Sequence, residues 1–119
     1  MAQARVKPPD TIKLGSRKIT VRMIPAVFDD IAEQPGLSQS HERVIMLCSA
    51  TVPDTQRETM LHELLHQALH LAGLTVAHDD VEADIATELE ERTVIRLTPI
   101  LLGVLRENPR LLSFLLEKD

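Results

Sequence analysis

The sequence predicts an α+β fold: a small antiparallel-type sheet of roughly three strands packed against a central helix, a long kinked helix and a short C-terminal helix. Two patterns point to it. Apolar residues alternate on either side of a Gly-Ser pair near the N-terminus, as in a hairpin. From residue 54 onward, apolar positions recur instead at helical spacing between proline and glycine punctuation. The 119 residues suffice for one domain, read as residues 11–119 behind a flexible arm of residues 1–10 that carries Pro8-Pro9.

The elements follow in order. Ile12 and Leu14, then Ile19, Val21 and Met23, give the two strands of the hairpin around Gly15-Ser16. PAVFDDIAEQPG reads as a short helix opened by Pro25 and stopped by Pro35-Gly36, and LSQSHE as a loop. RVIMLCS is continuously apolar and reads as a buried strand. A helix then begins at Asp54 or Thr55, where Thr55 and Glu58 match a capping box, and runs to about Ala72 with Gly73 as its left-handed exit. After LTVAHDD a second helix is expected from Val81 to Glu107, kinked at Pro99, and RLLSFLLEK closes the chain as a third.

Composition narrows the function. With no Trp, no Tyr and two Phe, the core must be aliphatic. A net charge of −5 opposes a nucleic-acid binder, which needs a clustered basic face; the basic residues from Arg5 to Arg22 fit a solvated hairpin. No apolar run approaches membrane-spanning length, and nothing resembles a signal peptide. The single cysteine, Cys48, cannot form an internal disulfide and sits in an apolar strand, so a buried residue in a cytoplasmic protein is expected.

The chemistry concentrates in RETMLHELLH, residues 57–66. His62-Glu63-Leu64-Leu65-His66 is an HExxH motif. On a helix, residues four apart share a face, so both imidazoles can reach one ion at about 2.0–2.1 Å. Glu63 projects about 100° from His62, beside such an ion rather than on it, where it can take a proton from water. The wheel sets Thr59, His62, Glu63, His66, Gln67 and His70 on one side, read as the presented face. Met60, Leu61, Leu64, Leu65, Ala68 and Leu69 form the other, read as the buried face. His70 lies about 12 Å along the axis from His62, too far to share its ion.

A third protein ligand is sought in the next helix, DIATELEERTVIRL. Val94, Ile95, Thr98, Leu101, Leu102 and Leu105 mark its inward side, and Glu91 falls inside that arc. A carboxylate aimed at a packed face needs a cation to meet it. Glu91 is therefore favoured as the ligand, with Glu90, Glu88 and His78 as alternatives.

HELLH on a capped helix, followed by a glutamate on the next, resembles the gluzincin-type zinc metallopeptidases in minimal form. RETMLHELLHQAL together with EERTVIRLTPILLGVLRENP is similar to small HExxH proteins encoded in phages and prophages, over about residues 43–110. The resemblance implies a minimal zincin core, zinc as cofactor, His62, His66 and Glu91 as ligands, Glu63 as general base and a protein or peptide as substrate. RVIMLCS would be the edge strand along which that peptide lies. The sequence departs from larger gluzincins in having no Tyr to stabilise an oxyanion; His41, His70 and His78 are the candidates to replace it. Two readings follow: a zinc-dependent peptidase, or a non-catalytic zinc-stabilised protein that binds a phage or host partner.

Overall fold

In the computed structural model, which describes residues 6–25, 36–39, 43–74 and 83–118, the alternating N-terminal segment forms the expected hairpin. β1 (Thr11–Leu14) runs antiparallel to β2 (Arg17–Ile24), with Ile12 opposite Ile19. Gly15 holds φ +58° in the two-residue turn, a conformation that a side chain resists. A Cβ there would also lie 2.9 Å from Leu71 Cδ2, so the turn is seated against the end of the HExxH helix.

The sheet has four strands in the order β1-β2-β4-β3, where β3 is Gly36–Gln39 and β4 is Val44–Cys48. Two of its three pairings are antiparallel. The third, β2 with β4, is parallel, Thr20 opposite Val44 through Ile24 opposite Cys48. A parallel pair needs a long crossover, and the span from Pro25 to Arg43 is long enough to supply it. Two expectations are corrected here. Residues 36–39 are a strand rather than part of a loop, because their order comes from pairing with β4 and not from any alternation of their own. β4 is consequently an interior strand, hydrogen-bonded on both sides, and not an edge.

Ile19, Val21, Ile45 and Leu47 make the buried centre of the sheet, with Ile12, Leu14, Met60 and Leu64 packed against it. The core is aliphatic as expected, and Cys48 is buried and free. Met23 is 43% exposed, so the hairpin's inward row ends at Val21.

α1 (Pro53–Leu71) begins earlier than expected. Val52 is its N-cap and Pro53 its first residue, which moves Thr55 inside the first turn, and no side chain caps the helix. The Thr55–Glu58 capping box therefore does not form. Gln56 instead donates from its side chain to the Thr51 carbonyl at 2.9 Å, and Thr51 Oγ1 donates to the Cys48 carbonyl, tying the helix to the end of β4. The exit is as expected. Gly73 has φ +71°, its amide donates to the His70 carbonyl, and Leu74 donates to that of Leu69.

α2 (Ala83–Glu107) runs uninterrupted past Pro99, and α3 (Pro109–Leu116) starts with Pro109 in its first turn. α2 lies antiparallel to α1. Arg106 near its end meets Asp54 at the start of α1 at 2.8 Å, while its first half reaches the HExxH histidines. No helix among the described residues is long and apolar enough to cross a membrane. The helix expected over residues 25–34 and the LTVAHDD connection, with His78, lie almost wholly outside the described residues, as do residues 1–5 of the expected arm.

Candidate metal centre

The site is built by the crossing of α1 and α2. On α1, His62 and His66 lie one turn apart and meet edge to face, with ring centroids separated by 5.0 Å. Burial around them corrects one half of the amphipathic reading: Met60 and Leu64 pack on the sheet as expected, but the polar face is covered rather than presented. Thr59, Glu63 and Gln67, at i, i+4 and i+8, are the buried residues of the helix, while Leu61, Leu65 and Leu69 are only half-buried. The polar row is the covered one because α1 is packed on two sides, by the sheet and by α2, whose Val94 and Thr98 are also buried. A wheel for one helix assumes a single buried side, and this helix has two neighbours.

Glu91 of α2 reaches both histidines. Its Oε1 lies 2.8 Å from His62 Nε2 and its Oε2 lies 2.9 Å from His66 Nε2. The ligand atoms of His62, His66 and Glu91 all fall within 4.8 Å of one another, a group of the size that one cation can bridge. Two imidazoles and a carboxylate are a zinc-type donor set.

Glu90 does something different from Glu91. Its Oε2 sits 2.7 Å from His66 Nδ1, on the far side of the ring from Glu91. Adjacent residues on a helix project about 100° apart, so the Glu90-Glu91 pair can hold one imidazole from two directions. Reading Glu90 only as a rival ligand missed this. The signal available in sequence was the consecutive carboxylates opposite a histidine, which can pin its ring and its tautomer from outside a metal's coordination shell. Glu88 is exposed and pairs with Arg92 at 3.2 Å, away from the histidines. His70 is half-buried and does not join the cluster. Of the inward side expected for α2, Val94 and Thr98 are buried but Ile95 is 54% exposed.

With neutral imidazoles and ionised carboxylates the cluster is one proton short. Three nitrogen–oxygen contacts between 2.7 and 2.9 Å need three protons, while two neutral imidazoles carry two. With His66 donating from Nδ1 to Glu90, its Nε2 lone pair faces a carboxylate oxygen. An imidazolium, a protonated carboxyl or a metal ion would each relieve that opposition.

The electrostatics follow from burial. Desolvation lowers the His62 pKa, against the pull of Glu91, favouring the neutral imidazole. Desolvation raises Glu63 to about 7, with Glu91 adding to the rise and His66 opposing it. Glu63 Oε1 is 3.8 Å from His62 Nε2, beside the cluster and not within it. An open depression of about 530 Å³ runs along α2 next to the site, lined by Thr87, Glu88, Glu91, Arg92, Ile95 and Arg96.

Comparison of the chain with protein-family models, with curated proteins and with solved structures gave no match.

Proposed function

We propose that this chain is a zinc-dependent metallopeptidase of minimal, gluzincin-like design. The observation that carries the proposal is the convergence of His62 Nε2, His66 Nε2 and both Glu91 oxygens from two helices on one small volume. These three residues would hold the ion. Bound zinc would supply Lewis acidity, polarising a peptide carbonyl and making water a stronger acid.

The chain's own residues do the rest. Glu63, buried beside the histidines, takes a proton from the attacking water and delivers it to the leaving amine. Glu90 holds His66 in the tautomer that leaves Nε2 free to ligate. The reading carries with it a cytoplasmic setting, suited to a lone buried cysteine, a peptide or protein substrate and no nucleic-acid partner.

A second reading, a zinc-stabilised binding protein without turnover, is favoured by one feature. β4, the strand that resemblance assigned to the peptide, has no free edge. One set of measurements separates the two. Protein purified without chelator should hold one zinc per chain, and His66→Ala should lose it. Glu63→Gln should keep the zinc and lose hydrolysis of a casein-derived peptide library. Zinc retention with no wild-type hydrolysis would favour the binding protein, and no zinc at all would remove both readings.

A further inference from the structure

The cluster of His62, His66, Glu90 and Glu91 meets solvent mainly through Glu91. That side chain is 45% exposed, against 20% for His62, 18% for Glu90 and 13% for His66. The open depression of about 530 Å³ includes this exposed carboxylate in its wall, and its volume lies within the ~300–1,000 Å³ of ligand-binding clefts. Whatever approaches the cluster from solvent on the Glu91 side therefore also lies in the depression.

Two rows of α2 line it. Thr87, Glu91 and Ile95 form one, each four residues from the next, and Glu88, Arg92 and Arg96 form the other. Ile95, more than half exposed, adds an apolar surface one turn beyond Glu91. Charge in the second row does not balance. Glu88 and Arg92 pair at 3.2 Å, while Arg96 has no hydrogen-bond or ion-pair partner among the described residues. In the first row Glu91 is engaged with both histidines. One guanidinium is left over, and its planar fork suits a carboxylate bound through two parallel hydrogen bonds.

Spacing ties this charge to the histidine cluster. Arg96 follows Glu91 by five residues, about 7.5 Å along the helix axis, a distance that an extended peptide covers in about two residues. A polyanion such as nucleic acid would meet Glu88 and Glu91 at the same surface of a chain whose net charge is −5. A single carboxylate matches the single surplus cation.

On the reading of this chain as a zinc protein that engages peptides, we propose that the depression is a subsite for one carboxylate of the bound peptide. Arg96 holds that group, an acidic side chain or the C-terminus, about two residues from the His62–His66–Glu91 centre.

The test is retention of octapeptides on immobilised Glu63→Gln protein, which leaves bound peptides intact. The octapeptides carry Glu, Gln or Lys at each position in turn, with free or amidated C-termini. Glu should be retained about fivefold better than Gln at its preferred position, the upper end for an ion pair open to water. A preference that follows the free C-terminus instead would identify the terminal carboxylate as the ligand. Arg96→Gln should level acidic and neutral peptides, and Arg96→Glu should turn the preference toward Lys, with zinc content and helical circular dichroism unchanged. Equal retention of acidic and neutral peptides, no retention at all, or a preference indifferent to Arg96→Gln would overturn the subsite. Wild-type hydrolysis, read separately, keeps the two proposals apart. An Arg96-dependent preference without hydrolysis would sustain the subsite and remove the peptidase, and hydrolysis without the preference would do the reverse.

Discussion

Glu90 and Glu91 are adjacent in sequence and both touch His66, yet removing them should have unequal consequences. On the zinc reading proposed above, Glu91→Ala deletes the carboxylate that reaches both Nε2 atoms and leaves two histidines to hold the ion. Glu90→Ala deletes only the carboxylate on His66 Nδ1, a contact of 2.7 Å between side chains that are 18% (Glu90) and 13% (His66) exposed. Partners of this kind change metal affinity by about 10–100-fold, or ~1.4–2.7 kcal/mol. Glu90→Gln keeps an acceptor but loses its charge. The difference between a charged and a neutral hydrogen bond, ~1 kcal/mol, sets its effect at roughly fivefold to tenfold. Competition for zinc against a chromophoric chelator at fixed pH would order the variants: wild type, Glu90→Gln, Glu90→Ala, then Glu91→Ala weakest by well over ~100-fold. If Glu90→Ala lost zinc as completely as Glu91→Ala, or lost none, the division between ligand and positioning residue would be wrong.

Three further outcomes are expected. Gly15→Ala puts a side chain at φ +58° and a Cβ 2.9 Å from Leu71 Cδ2, so it should cost about 2 kcal/mol, seen as a lower urea midpoint at unchanged slope. In chelator, Glu63 makes stability pH-dependent. Its pKa rises on folding from 4.5 to about 7, so the folded state holds the extra proton and stability falls as pH climbs through that window, by roughly 3 kcal/mol at most. Glu63→Gln should flatten that profile in urea titrations between pH 4.5 and 8; an unchanged slope would assign it to other groups. Leu47→Ala, fully buried in the sheet core, should lose about 2–4 kcal/mol in the same assay, and a loss under ~1 kcal/mol would contradict the packing described.

Local chemistry was legible from the sequence alone. The hairpin turn at Gly15-Ser16, the apolar strand of Val44–Cys48, the exit of α1 at Gly73 and the helical HExxH spacing each depend on residues within a few positions of one another. Periodicity and turn chemistry act over that range, so the α+β class and the candidate histidines could be read directly. The inward arc favours Glu91 for a reason the structure does not keep: its side chain is 45% exposed against 18% for Glu90, and Ile95 of the same arc is 54% exposed.

What depended on neighbours could not be read. The parallel pairing of β2 with β4, and the recruitment of Gly36–Gln39 as an edge strand, are backbone contacts between distant segments that leave no side-chain period behind. The capping box was a valid local pattern, overridden when Pro53 started the helix early. Burial of Thr59, Glu63 and Gln67, and the division of labour between Glu90 and Glu91, were decided only when α2 was laid across α1. Each helix sets the angles at which its side chains leave the axis, but the packing of one helix on another decides which of those angles lead to a partner.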